Sequence, residues 1–327
     1  MIYRCTAWVD ALLSRAVVEP RFVARQATRR ATWLAEMRAR IEALDGVDWF
    51  AAPPTLVPSQ VAVGRYCDAL TKTILWESPS VAASSLFAMS PHSGPPIATL
   101  HGNRGRAVWV LVHGWLGGNL AYDRWGWPFQ RLLESFDAVC FTLPGHGKRK
   151  HPAQNSLPTF PSRNPVANAI GLAIAVAELR QLVSWLRGHG YDRIGIAGTS
   201  LGGYVASLFA TASADCEQLL LDRPLVRMSE PLRRVANREG AAHRQLLEHL
   251  EAVYAVVDPL RRELKLPRER VALLLGEHDR ISGLAAGEAL ASHWHVEAER
   301  FPGSHVIPWG RSERLWRLFS ALTERSA

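Results

Sequence analysis

From Ala98 onward, short apolar runs alternate with longer stretches of helical periodicity. Ala107–Val112 is a near-continuous apolar run, the pattern of a strand covered on both faces. Ala138–Leu143 is a second such run, ended by Pro144-Gly145-His146-Gly147. A helix is predicted over about 165–187, with Asn164 as N-cap, Pro165 at its first position and Gly188 as its stop. Arg193–Gly198 reads as the next strand, 201–212 as its helix, and Leu219–Leu221 as a short strand ending at Asp222. Val271–Leu275 and Ala298–Phe301 follow as strands, and Glu313–Leu322 as a closing helix. This alternation predicts an α/β fold: a mainly parallel, doubly wound sheet with helices on both faces.

The segment before Ala98 has a different rhythm. Residues 21–45 carry Ala27, Ala31, Leu34, Met37, Ile41 and Leu44 at spacings of three or four, with arginines between them. Two readings stay open: an outer helix packed on the main domain, or a basic amphipathic helix resting on a membrane surface. Pro53, Pro54 and Pro58 interrupt the pattern, Thr71–Trp76 reads as a strand, and Ser90–Pro96 as loop. The expected organisation is therefore an N-terminal helical extension with the first strand over 1–97 and a core over 98–327. Within that core, His151–Pro165 reads as a long loop over the sheet's C-terminal edge. Arg223–Pro267 is helical, charged and interposed between two strands; it reads as a lid insertion at 223–267 or as a crossover with extra helix.

Composition narrows the picture. The 327 residues, 48% hydrophobic and 21% charged, suffice for one elaborated α/β domain. Cys5, Cys67, Cys140 and Cys216 are widely spaced, which suggests neither a disulfide framework nor a zinc site and points to reduced thiols in a cytoplasmic protein. No secretory leader is apparent, and no run of about 18 uninterrupted apolar residues exists, so no membrane span is expected. The net charge is +8, yet the densest basic cluster is only Lys148-Arg149-Lys150-His151. Without a recognition motif this argues against nucleic acid as a partner; attraction to an anionic substrate or peripheral contact with anionic lipid fits better.

The candidate chemistry lies at strand ends. Gly198-Thr199-Ser200-Leu201-Gly202 joins a predicted strand to a predicted helix, the context in which a G-x-S-x-G sequence lifts a serine hydroxyl clear of the backbone. Ser200 is the candidate nucleophile. His305, in a Gly-Ser loop directly after the last strand, is the candidate base. Asp279, just past Val271–Leu275, is the preferred acid to orient the imidazole, with Glu277 and Asp222 as competitors. The backbone N–H groups of Trp115 and Leu201 are candidate oxyanion donors. The first lies in the turn His113-Gly114-Trp115 after a strand, where His113 is expected to brace the turn rather than ionise. Tyr122, Trp125 and Trp127 form either an apolar acyl pocket or a helix anchored in the core. His113, His146, His151 and His305 lack metal-ligand spacing, and neither a metal nor another cofactor is called for.

Over residues 98–327 these motifs resemble the α/β-hydrolase fold enzymes. The likeness rests on the His113-Gly114 turn, Pro144-Gly145-His146-Gly147, the elbow at Ser200, Asp279 in its G-x-x-D loop, and His305. It implies a nucleophile–acid–histidine triad in that chain order, acting on carboxylic esters or thioesters. A serine at the elbow sets the chain apart from the dehalogenase and epoxide-hydrolase branches, which place aspartate there. The stretch Gly198–Leu208 is also similar to abhydrolase-domain lipid deacylases, which includes lipid-like acyl esters among the substrates the resemblance implies. An acyltransferase with the same triad and a non-catalytic scaffold of this fold are the alternatives.

Overall fold

The computed structural model describes residues 27–43, 46–81, 93–102, 105–150, 158–162, 164–230, 233 and 241–324. Nine strands form one sheet: β1 (Pro58–Tyr66), β2 (Ala69–Trp76), β3 (Ile97–His101), β4 (Ala107–Val112), β5 (Asp137–Thr142), β6 (Arg193–Thr199), β7 (Gln218–Asp222), β8 (Val271–Gly276) and β9 (Ala298–Phe301). Their order is β1-β2-β3-β5-β4-β6-β7-β8-β9. The joins from β1 to β2, β2 to β3 and β3 to β5 are antiparallel, and the remaining joins are parallel.

The apolar runs are strands because both faces of the sheet are covered. Val108, Val110 and Val112 of β4 point into one buried cluster, while Trp109 and Leu111 point into a second on the opposite face. Ile194 and Ile196 alternate in the same way with Ala197 on β6. The first cluster is closed by helices α4 (Pro165–Gly188), α5 (Leu201–Ala212) and α7 (Leu284–Trp294). The second is closed by α3 (Phe129–Ser135) and α8 (Arg311–Glu324), whose Phe319 meets Trp109 edge-on at 4.7 Å. Two more helices are α2 (Leu120–Gly126) and α6 (Ala241–Tyr254).

Asn164 caps α4 as expected, its Oδ1 accepting from the N–H groups of Val166 (3.0 Å) and Ala167 (3.2 Å). The stop is displaced: α4 runs through Gly188, and Gly190 supplies the left-handed turn at φ +90°. α4 is long and apolar enough to cross a membrane, but it is packed inside the fold. Two of its buried polar side chains are satisfied internally. Glu178 holds Arg149 in a two-pronged pair at 2.7 and 2.8 Å, and Gln181 accepts from Trp76 Nε1 at 3.1 Å.

The N-terminal segment is tied to this frame. Helix α1 (Ala27–Glu42) buries Leu34, Met37 and Ile41, and Leu34 packs against Leu246 of α6. These three apolar positions thus face protein. The loop before β1 is pinned on α4, where Gln181 donates to the Pro54 carbonyl at 3.0 Å. The lid reading at 223–267 falls partly on residues 231–232 and 234–240, and the long-loop reading on 151–157 and 163, outside the described residues. The described part of the 223–267 segment places α6 against α1 and α4.

Candidate active site

β4 lies between β5 and β6, so the connection leaving β4 runs to one side and the one leaving β5 crosses to the other, a switch point that opens a crevice at the strands' C-terminal ends. Ser200 stands there, between the last residue of β6 and the first of α5. Its backbone is left-handed (φ 53°, ψ −116°), a conformation a non-glycine residue holds only where its surroundings enforce it. They do so by close approach. A Cβ on Gly202 would lie 2.2 Å from the Val112 carbonyl, and one on Gly198 2.4 Å from the Gly202 carbonyl. The Ser200 N–H donates to the Asp222 carbonyl (3.1 Å), and Leu225 N–H donates to the Ser200 carbonyl (2.9 Å).

His305 Nε2 lies 2.9 Å from Ser200 Oγ, and its Nδ1 lies 2.8 Å from Asp279 Oδ2. Asp279 is almost wholly buried. Its other oxygen accepts from the N–H groups of Ile281 and Ser282 (2.8 Å each) and of Gly283 (3.3 Å). Burial opposes its ionisation, but the His305 charge and hydrogen bond and the donated N–H groups outweigh it, so the carboxyl sits below the ordinary range. An ionised carboxylate can only accept, so Nδ1 carries the proton and Nε2 is left to accept from the serine hydroxyl. The two loops are laced together: Glu277 N–H donates to the Phe301 carbonyl and His278 N–H to the Gly303 carbonyl, each at 3.0 Å.

The competing acids are elsewhere. Glu277 is exposed. Asp222 is fully buried and occupied by Arg223 (Nη2, 2.9 Å), Arg311 (Nε, 3.0 Å) and Thr199 Oγ1 (2.7 Å). Burial resists its charge, but the two guanidiniums prevail and hold its carboxyl far below the usual range.

The turn after β4 runs against the serine: a Cβ on Gly114 would lie 3.3 Å from Ser200 Cβ. Trp115 follows on this turn and Leu201 opens α5, where an N–H has no acceptor within its own helix. His113 Nδ1 donates to the Gly114 carbonyl (2.7 Å) and its Nε2 accepts from Leu143 N–H (3.1 Å). Burial, then the neighbouring His146, lowers its pKa to about 3, so the ring is neutral and braces the turn. The three aromatics do not share a pocket. Trp127 is buried in the core cluster beside Phe319, whereas Tyr122 and Trp125 are solvent-exposed, Trp125 at 80%. The pocket reading is corrected accordingly: the chain leaves α2 at Gly126, which turns Trp127 to the core.

A model of the alpha/beta hydrolase family matches residues 109–318. The chain belongs to the alpha/beta hydrolase family. Two proteins of Mycobacterium tuberculosis, each described as uncharacterized and from strains CDC 1551 / Oshkosh and ATCC 25618 / H37Rv, are 27% identical to this hydrolase-family chain over 85% of its length and 70% of theirs. Among solved structures it is similar in fold to an acetyl xylan esterase from Paenibacillus sp. R4 (13% identity, TM-score 0.57, 90% of this chain and 94% of that one). It is also similar to the Pyrococcus furiosus esterase Pf2001 (16% identity, TM-score 0.52, 83% and 98%).

The family member's site also contains groups that sequence reasoning passed over. Arg223, Thr199, Arg311 and Ser282 surround the relay, and Ser282 Oγ lies 3.3 Å from His305 Nδ1. For Thr199 the signal is strand register. Thr199 and Asp222 are paired across β6 and β7, a neighbourhood that periodicity does not reveal.

Proposed function

We propose that this protein is a serine hydrolase that cleaves carboxylic esters or thioesters through an acyl-enzyme on Ser200. The observation that carries the reading is the unbroken line from Asp279 through His305 to a serine in a left-handed elbow, with spacings of 2.8 and 2.9 Å. His305 Nε2 takes the hydroxyl proton as Ser200 Oγ attacks the acyl carbonyl, and Asp279 stabilises the resulting imidazolium. The N–H groups of Trp115 and Leu201 bind the oxyanion; removing one such donor typically costs about 3 kcal/mol of transition-state stabilisation. The imidazolium then protonates the leaving alcohol or thiol, and water, deprotonated by His305, releases the acid. No cofactor enters this scheme.

Leu116, Val306, Ile307 and Trp309, exposed apolar residues beside the oxyanion turn and the base, favour an acyl or lipid-like substrate and contact at a membrane periphery. The fold neighbours named as esterases put acetyl esters first on the test panel. The test is turnover of acyl esters and thioesters of increasing chain length, with product analysis in water and with added alcohols. Free acid as the main product, lost in Ser200→Ala, supports hydrolysis. Acyl transfer to the alcohol would make the protein a transferase, and no turnover by folded protein would leave it a non-catalytic member of the fold.

A further inference from the structure

We propose that Arg223 is a positioning residue that holds His305 in register with the Ser200 elbow. The inference rests on the serine-hydrolase reading and goes beyond its triad. The guanidinium of Arg223 spans two segments that no strand pairing joins directly. On one side its Nε and Nη2 grip Asp222 at 3.2 and 2.9 Å, and Nη2 reaches Thr199 Oγ1 at 3.3 Å, immediately before the serine. On the other side its Nη1 donates to the carbonyl of His305 itself. The Arg223 carbonyl in turn accepts from Ser282 Oγ (3.1 Å), the hydroxyl beside His305 Nδ1. One side chain and its own carbonyl thus touch the nucleophile's strand, the loop of the acid and the residue of the base.

Neutralising Asp222 does not require this residue. Arg311 Nε already bonds Asp222 Oδ2 at 3.0 Å, and Thr199 supplies a third donor. The reach to His305 is what Arg223 adds. It also needs a planar fork, with Nε and Nη2 serving Asp222 while Nη1 serves His305; an ammonium cannot serve both. The backbone at Arg223 is left-handed (φ 46°), a rare state for a long side chain, which fits a position determined by its neighbours rather than by its own preference. The charged and titratable groups that act on it are Asp222, Asp279, Tyr122 and Arg311, drawn from four separate segments.

The test compares wild type, Arg223→Gln and Arg223→Lys in full-length protein. Three quantities are read: the second-order rate of fluorophosphonate labelling, kcat and KM for a short-chain ester, and the near-ultraviolet circular dichroism spectrum. A misplaced reacting group costs up to about a hundredfold in rate. Arg223→Gln is therefore expected to retain a native spectrum, since Asp222 keeps Arg311, while labelling rate and kcat fall together by roughly ten- to a hundredfold with KM nearly unchanged. Arg223→Lys is expected to fall between the two. A folded Gln variant within twofold of wild type overturns the proposal, as does a Lys variant with full rates beside an unfolded Gln variant. Failure of wild type itself to label would instead remove the hydrolase reading, a result distinct from either.

Discussion

Replacing Asp279 by asparagine probes the site most sharply, because the structure dictates how the amide must sit. Asp279 Oδ1 accepts three backbone N–H groups, from Ile281, Ser282 and Gly283, so the asparagine oxygen takes that place and its NH2 faces His305 Nδ1. Two donors cannot face each other, so Nδ1 gives up its proton and Nε2 acquires one. A protonated Nε2 cannot accept from Ser200 Oγ, 2.9 Å away. The wrong-tautomer penalty in a triad of this type is about 10⁴ in kcat, roughly 5.5 kcal/mol at 1.36 kcal/mol per decade. Ser282 Oγ, 3.3 Å from Nδ1, is a weaker acceptor for the native tautomer and sets a floor above complete inactivity. Ester turnover and fluorophosphonate labelling should both drop by three to four decades in Asp279→Asn with thermal stability little altered. An Asp279→Asn protein within tenfold of wild type, beside an inactive but folded Asp222→Asn, would refute the assignment of the acid.

Three further outcomes follow from packing and burial. Glu178→Gln leaves the Arg149 guanidinium buried without its counter-charge, and should lower unfolding free energy by about 3 kcal/mol in chemical denaturation; a loss under 1 kcal/mol would contradict the pairing. Gly202→Ala drives a Cβ against the Val112 carbonyl, a backbone atom that cannot swing away, so soluble, active protein at wild-type yield would be unexpected. Asp123 is buried and its pKa is raised to about 7 by desolvation, partly offset by the Gly118 N–H. Its folded pKa exceeds the unfolded value of 3.8, so its ionisation destabilises the fold progressively as pH rises from about 4 through 7. Asp123→Asn should therefore raise the melting temperature at pH 8 more than at pH 4; an equal change at both would show that the carboxyl does not titrate in that window.

Most of the parallel sheet was legible because its strands are buried on both faces and so read as unbroken apolar runs. β1 was not legible: it is an edge strand whose residues are largely exposed, so nothing in Pro58–Tyr66 demands apolar alternation. α7 escaped notice because small residues, Ala285, Ala286 and Gly287, dilute its periodicity, although Leu290 and Trp294 are buried. Ser200, Asp279 and His305 were legible because each follows directly on a strand, where chain order alone restricts position. The sequence leaves the aromatic trio open between pocket and core because burial at Trp127 depends on where α2 ends. Arg223 is the chain neighbour of Asp222, but Arg311 reaches that carboxylate only through the return of α8, a contact 89 positions apart that no local pattern encodes.

The most direct measurement is peptide mapping by mass spectrometry after reaction with a fluorophosphonate. The expected result is a single adduct on the peptide containing Ser200, absent from Ser200→Ala and from protein unfolded before exposure. An adduct on a different residue, or none on folded wild-type protein, would contradict the claim that His305 activates this hydroxyl.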